Sequence, residues 1–241
     1  MLTDLWGRAT ATQPPLTGEV SLLLGALALV IAWTPWGFRV VRHLVTLTHE
    51  AGHALVALLA GRRLTAIQLH SDSSGVTVSH GRPRGLGMVA TVFAGYPAPA
   101  LVGVAGAWLL GAGHAAGMLW ALVATCALML LLIRNWYGLW VVLVTGVGVG
   151  LLSWFASGPV LTGVAYLLVW LLLLAAPRSL VNLHRARRRR GTGTSDPDQL
   201  GRLTWLPPWF WIGTYWLLCA AAIGVGAWLL VPLPGLPALP G

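Results

Sequence analysis

Residues 37–60 read GFRVVRHLVTLTHEAGHALVALLA, a long apolar run that contains one cluster of polar side chains. The length of this run predicts a helix that crosses a membrane, because a crossing helix needs about 20 mostly apolar residues. His49 and His53 are four positions apart, so on a helix their imidazoles point about 40° apart around the axis and can reach one cation. Glu50 completes an H-E-x-x-H pattern, which is typical of a metal site. The alternative, two histidines with structural partners inside a helix bundle, gives no reason for a glutamate at membrane depth, where a charge is costly.

The composition of the chain extends the membrane assignment to its whole length. Of its 241 residues 57% are hydrophobic and 9% are charged, and the mean hydropathy is +0.77. These values exclude a soluble globular, a disordered or a coiled-coil protein. We predict an all-α, polytopic transmembrane bundle of about seven spans, at residues 20–34, 37–60, 86–110, 113–133, 137–156, 159–176 and 209–231.

Two short alternating stretches follow the motif. Leu64 to His70 and Gly75 to His80 flank the polar residues 71–74 and predict a small β-hairpin, in which Asp72 is expected to form an Asx-turn. The chain then divides into four parts: an N-terminal segment with the first transmembrane helix, a core with the motif helix and hairpin, a basic cytoplasmic loop, and the last transmembrane helix with its tail. Their residues are 1–36, 37–176, 177–208 and 209–241.

The charge of the chain predicts its orientation. The formal net charge is +9, and every positive side chain is an arginine. If residues 177–208 are cytoplasmic, alternation of the spans places the N terminus and thirteen arginines inside, and only Arg39, Arg42 and the tail after Val231 outside. The arginines at 187–190 are then topology determinants that contact anionic headgroups of the lipid bilayer. We expect no nucleic acid partner, since interleaved aromatic residues and a soluble domain are absent from the sequence.

A catalytic zinc needs a third protein ligand in addition to two histidines, and the sequence offers few acids for this role. Asp196 and Asp198, in SDPDQL at residues 195–200, are the best candidates. The same residues resemble a helix start, with Asp196 as N-cap, Pro197 at the first helical position and Gln199 closing a capping box. Ligand and cap are both consistent with the spacing.

These motifs together resemble a known family. The chain is similar to the site-2 protease group of intramembrane zinc metallopeptidases, and specifically to its small bacterial branch, in the order of HEAGH at 49–53, the hairpin, GYPAP at 95–99, RNWYG at 134–138 and SDPDQL at 195–200. The resemblance covers about residues 37–230 and implies one catalytic Zn²⁺ held by His49, His53 and Asp196. Better-studied members supply this aspartate from within a transmembrane helix, whereas here it stands in a polar segment.

The resemblance implies hydrolysis of a peptide bond in a membrane-embedded protein substrate, as in regulated intramembrane proteolysis. Glu50 would act as the general base towards a metal-activated water, and Asn135 is a candidate for stabilising the oxyanion. The edge at 75–80 offers a place for an unwound substrate to add as a strand, although a plain surface loop fits the sequence equally well.

The expected partners are a substrate with a transmembrane segment, the bilayer and separate regulatory membrane proteins. Abundant arginine without lysine is typical of a GC-rich bacterial genome, so we expect an integral protein of a bacterial plasma membrane. Two alternatives remain open: a non-hydrolytic metal-binding membrane protein, such as a cation transporter or sensor, and a catalytically dead, protease-like scaffold.

Overall fold

The chain folds into a helical bundle with one small hairpin. A computed structural model describes residues 2–72, 74–190, 193 and 195–231. Within these residues the helices are α1 Leu2–Thr10, α2 Gly18–Trp33, α3 Pro35–Leu59, α4 Leu86–Phe93, α5 Ala98–Gly111, α6 Ala115–Leu130, α7 Trp136–Phe155, α8 Gly158–Arg190, α9 Asp196–Leu203 and α10 Pro208–Leu230, and the strands are β1 Arg63–Leu69 and β2 Gly75–His80. The predicted helical architecture with a hairpin after the motif helix is confirmed. The tail at 232–241, predicted to lie outside, falls beyond the described residues.

The motif helix α3 begins at a sharp turn. Thr34 is extended because the residue before a proline is disfavoured in the helical region. Its hydroxyl accepts the Gly37 N–H at 3.3 Å, and Pro35 occupies the first turn of α3, where no N–H is needed. The axes of α2 and α3 therefore meet at 97°. The prediction of two independent spans at 20–34 and 37–60 did not include this bend.

A second bend interrupts the apolar run that follows the hairpin. Residues 94–97 form turns between α4 and α5, and the two helices are inclined by 73°. Pro97 lacks a backbone N–H and so cannot continue the hydrogen bonding of α4. The predicted span at 86–110 is thus two shorter helices, and residues 94–97 between them lie beside the motif helix.

The number of spans differs from the predicted seven. In the described part of the chain three helices, α7, α8 and α10, are long and apolar enough to cross a membrane, and the number rises to five if each bent pair counts as one span. The segment at 113–133 forms α6, whose 16 residues give a length of about 24 Å, short of the roughly 30 Å hydrocarbon layer. Hydropathy records the apolar runs but not the changes of direction within them.

Helix α8 is the centre of the bundle. It packs against α2, α5 and α10, and the main hydrophobic core includes its buried Tyr166, Trp170 and Leu173. The sequence predicted the end of this span at residue 176, but the helix continues through Pro177 to Arg190. Leu180 and Leu183 in this extension belong to the main core, and Arg187 further along it is ion-paired with Asp198 of α9.

The hairpin packs under α3 and α7. β1 and β2 pair antiparallel, and Asp72 Oδ1 accepts the Ser74 N–H at 3.0 Å, which confirms the predicted Asx-turn. The second edge of β1 is also occupied, because the Ile67 N–H donates to the Leu132 carbonyl at 2.8 Å. Within the described residues the second edge of β2 has no strand paired to it.

Candidate metal centre

The structure brings His49, His53 and Asp196 together. The Nε2 atoms of the two histidines are 3.1 Å apart, and Asp196 Oδ2 lies 3.3 Å from each of them. The histidines lie one turn apart on α3, and the aspartate is the first residue of α9, 143 positions after His53. Two distant parts of the sequence therefore converge on one point.

These three donors fit a metal ion such as Zn²⁺. Zinc–nitrogen and zinc–oxygen bonds of about 2.0–2.1 Å in a tetrahedral arrangement place the ligand atoms roughly 3.3 Å from one another. The observed separations of 3.1 and 3.3 Å match this edge. Asp196 Oδ2 is buried without a hydrogen bond of good geometry, which is the state of a carboxylate oxygen reserved for a cation.

The charge state of Asp196 also suits a ligand. Burial tends to raise the pKa of its carboxyl, but the imidazoles of His49 and His53 outweigh this effect and hold the pKa below its usual range. Asp196 is thus ionised at neutral pH. An ionised carboxylate is the form that binds a cation.

His53 is oriented from behind by the chain itself. Its Nδ1 lies 2.7 Å from the Thr91 carbonyl oxygen, so Nδ1 carries the proton and donates to it. In the neutral imidazole this arrangement leaves the Nε2 lone pair available to a cation, as in metal-binding histidines whose second nitrogen is held by a backbone carbonyl.

Gly95 allows the bend between α4 and α5 to approach the imidazoles of His49 and His53 closely. A Cβ atom at this position would lie 2.3 Å from His53 Nε2 and 2.6 Å from His49 Nε2. Real Cβ contacts are never this short, so only glycine fits against the two imidazoles.

Glu50 lies beside the cluster, with its side chain pointing to β2. The residue is 2% exposed, and its Oε2 accepts the Thr77 hydroxyl at 2.6 Å. A Cβ atom at Gly75 would lie 2.3 Å from Glu50 Oε1, so the strand runs directly against the carboxylate. Glu50 lines the same cavity as His49 and Asp196 and so faces the space beside the metal ligands.

Asp198 has a different set of partners from Asp196. It accepts the backbone N–H of Ser195 at 3.2 Å, it also accepts the Ser195 hydroxyl, and it is ion-paired with Arg187 at the end of α8. Burial raises the pKa of Asp198, but the hydrogen bonds from Ser195 and Arg187 lower it to about 2. The N-cap is Ser195 rather than the predicted Asp196, and the capping box closes through Asp198 rather than Gln199. Ligand and cap are thus separate residues.

Asn135 contacts the hairpin. Its Nδ2 donates to the Leu69 carbonyl at 2.6 Å, and its Oδ1 accepts the Leu69 N–H at 3.2 Å. The side chain holds the end of β1 in the manner of a neighbouring strand. Asn135 is not among the side chains that line the cavity of the metal cluster, and its role towards an oxyanion stays a prediction.

A cavity of about 640 Å³ opens onto the cluster. Its walls come from the first half of α3, the hairpin turn, the C-terminal part of α8 and the start of α9, and they include Arg39, Arg42, Arg185 and Arg189. The orientation predicted from charge had put Arg39 and Arg42 on the opposite side of the membrane from Arg185 and Arg189. Both pairs border one cavity, and α3, which carries Arg39 and Arg42, starts at the 97° bend. The side of the membrane on which Arg39 and Arg42 lie stays a prediction.

Several partners of the cluster could not be identified from the sequence. Thr77 and the Thr91 carbonyl carry no local signal, and Gly95 belongs to the GYPAP motif without any indication there that it lies against the histidines, since each acts through a tertiary contact. The pairing of Arg187 with Asp198 is also a tertiary contact. The sequence does not distinguish Arg187 from the other three arginines of its run.

Comparison with known proteins adds one finding. The sequence model of the family described as Peptidase M50B-like matches residues 22–227, which is most of the chain and includes all three candidate ligands and Glu50. Neither a curated protein nor a solved structure matches the chain.

Proposed function

The chain belongs to the peptidase M50B-like family and is an integral membrane protein of the site-2 protease type, and from this premise we propose that it is an active intramembrane zinc metalloprotease. The convergence of His49, His53 and Asp196 from two distant helices, at the separations of a tetrahedral metal site, is the observation that carries the proposal. Its substrates are membrane proteins whose transmembrane segments are unwound and cleaved. A bacterial plasma membrane with the basic segment cytoplasmic is the proposed location.

The contacts within the cluster suggest a role for each residue. His49, His53 and Asp196 would hold Zn²⁺, which when bound lowers the pKa of water and polarises a peptide carbonyl. Glu50 accepts the proton of the attacking water and passes it to the leaving amine. The Thr77 hydroxyl fixes the Glu50 carboxylate so that one oxygen stays directed towards the cavity.

The hairpin is proposed to hold the substrate. β1 is hydrogen-bonded along both edges, whereas in the described part of the chain β2 is paired along only one. Ser74 and Gly75, at the start of β2, line the cavity together with Glu50. A peptide that adds to β2 would place its backbone beside this carboxylate, and strand addition satisfies the backbone groups that unwinding exposes.

The decisive experiment replaces Glu50 by Gln in the purified protein, reconstituted with a membrane-embedded reporter. We expect Glu50→Gln to bind zinc as the wild type does and to lose about 10²- to 10⁴-fold in cleavage rate. Glu19→Gln is the matched control, since Glu19 is the other glutamate of the chain and lies exposed at the start of α2. Chelation should abolish wild-type cleavage, and added zinc should restore it.

The same experiment addresses the alternatives. A non-hydrolytic metal-binding protein would bind zinc without cleaving the reporter, and a dead scaffold would do neither. Cleavage that survives in Glu50→Gln would refute the hydrolytic mechanism. An intact Glu50, buried at 2% exposure beside the ligands, favours hydrolysis, because zinc binding alone requires no acid at this position.

A further inference from the structure

Four arginines lie along the cavity that leads to the metal cluster. Arg39 and Arg42 come from the start of α3, and Arg185 and Arg189 from the C-terminal part of α8. Arg42 is half-buried and the other three are exposed, whereas Glu50 at the inner end is buried. Among the described residues of the outer wall, these four arginines outnumber one carboxylate, that of Asp72 in the hairpin turn, so the outer part of the cavity carries a positive net charge, and its inner end holds the reacting groups.

Within the part of the chain that the structure describes, none of these four arginines forms an ion pair with a carboxylate, although Asp72 lines the same cavity. Among the described residues, the only arginine paired with a carboxylate is Arg187, which is not part of the cavity wall. Arg39 stacks on the Trp36 ring at 4.1 Å, a contact that leaves its N–H groups free. A group of unpaired guanidinium ions in one cavity creates a local field that attracts a negatively charged ligand.

The spacing along α3 relates the arginines to the cluster. Arg39, Arg42 and His49 share one face of the helix, because intervals of three and seven residues are nearly whole turns. At 1.5 Å per residue, Arg42 lies about 10 Å and Arg39 about 15 Å from His49 along the axis. An extended peptide covers these distances in about three to five residues.

We propose that this protein selects substrates with acidic side chains about three to five residues from the scissile bond, on one side of it. The inference rests on the proposed protease function. The Asp or Glu side chains of an unwound substrate segment pair with Arg39 and Arg42 on one wall and with Arg185 and Arg189 on the other. Anionic lipid headgroups share this chemistry. A peptide is favoured because the same cavity is lined by Glu50 and by Gly75 of β2, whose second edge has no strand paired to it among the described residues.

The test uses single-span reporter proteins that differ only near the cleavage site. One set carries two Asp residues three to five positions before the bond, one set carries them after it, and a third has Asn in both places. We expect one Asp set to be cleaved with a kcat/KM about five- to tenfold above the Asn set, mainly through KM, and the difference to shrink at high salt. Equal kcat/KM for all three sets would overturn the inference and leave the protease function intact.

Enzyme variants locate the effect. Arg42→Gln and Arg39→Gln should each lower the ratio of kcat/KM for the preferred Asp reporter to kcat/KM for the Asn reporter about two- to fivefold. Arg188→Gln is the matched control, because Arg188 is exposed on the same helix as Arg189 but is absent from the cavity wall. An equal loss in Arg188→Gln would overturn the inference. Arg42→Glu should cleave a reporter with two Lys residues at the same positions faster than the Asp reporter. This reversal would show that the variant is folded and that the side chain at position 42 recognises charge.

Two further arms distinguish other outcomes. In vesicles of phosphatidylcholine alone the preference for the Asp reporters must persist. If the arginine substitutions lower cleavage of all reporters equally, and only when anionic lipid is present, the arginines bind lipid headgroups and the inference is overturned. Binding of the same reporters to Glu50→Gln is measured in parallel. If the Asp reporters bind in an arginine-dependent way but the wild type does not cleave them, the protease function is refuted and the proposal of an acidic ligand stands. If the Asp and Asn reporters bind equally well, the inference is overturned.

Discussion

The contact between Arg187 and Asp198 is expected to control zinc affinity through α9. Asp198 is 6% exposed and accepts hydrogen bonds from Ser195 and Arg187, and this fixes the start of the helix whose first residue is Asp196. Removing one partner of a buried ion pair costs about 3–5 kcal/mol. Because the Arg187 side chain keeps 17% exposure and an Asn would retain part of the hydrogen bonding, we expect about 2 kcal/mol for Asp198→Asn.

This loss should appear as weaker zinc binding. If bound zinc must compensate for the weakened docking of α9, a cost of 2 kcal/mol raises the zinc Kd about 30-fold. Competition with a chromogenic chelator measures the Kd directly, without substrate. Arg187→Lys, which keeps the charge, should lose less than Arg187→Gln, and Arg188→Gln should bind zinc as the wild type does. An unchanged Kd in Asp198→Asn would refute the argument that this ion pair positions Asp196.

The pH dependence of the contact follows from the lowered pKa of Asp198. A carboxylate whose pKa is depressed in the folded state contributes stability that is complete above its unfolded value near 4 and is lost as the pH falls through the folded value of about 2. Zinc affinity between pH 5 and 8 should therefore show no step from Asp198. A step in this range that disappears in Asp198→Asn would contradict the assignment.

Three other substitutions probe the surroundings of the cluster. Gly95→Ala should weaken zinc binding by more than about tenfold, since its Cβ would displace both imidazoles, whereas Gly148→Ala, with open space around it, should bind zinc normally. Thr77→Val should reduce kcat by about tenfold through the lost hydrogen bond to Glu50 while Thr77→Ser and the zinc Kd stay near wild type; a changed Kd would mean that the cluster itself has moved. Asn135→Ala should lower the free energy of unfolding by about 1–3 kcal/mol and raise KM with little change in the zinc Kd. A loss confined to kcat would instead favour the oxyanion role predicted from the sequence.

The elements that the sequence predicts are those set by local pattern. The motif helix at 35–59 follows from a continuous apolar run, and the hairpin follows from alternation around a polar turn. The span count failed because Thr34 and Pro97 change the chain direction within apolar stretches, and hydropathy does not depend on direction. Asp196 was one of two equivalent acids on local grounds. Only the contact of α8 with α9 separates them, since Arg187 pairs with Asp198 and leaves Asp196 facing the histidines.

The late position of Asp196 has a consequence for the biogenesis of the protein. Translation at 5–20 residues per second separates His53 from the aspartate by about 7–30 s, during which the nascent chain holds only part of the proposed cage. If the protein is the proposed protease, a newly inserted precursor cannot attack its neighbours or the insertion machinery until the segment that carries Asp196 has left the ribosome. The order of the ligands along the chain would in that case delay the onset of the proposed proteolysis.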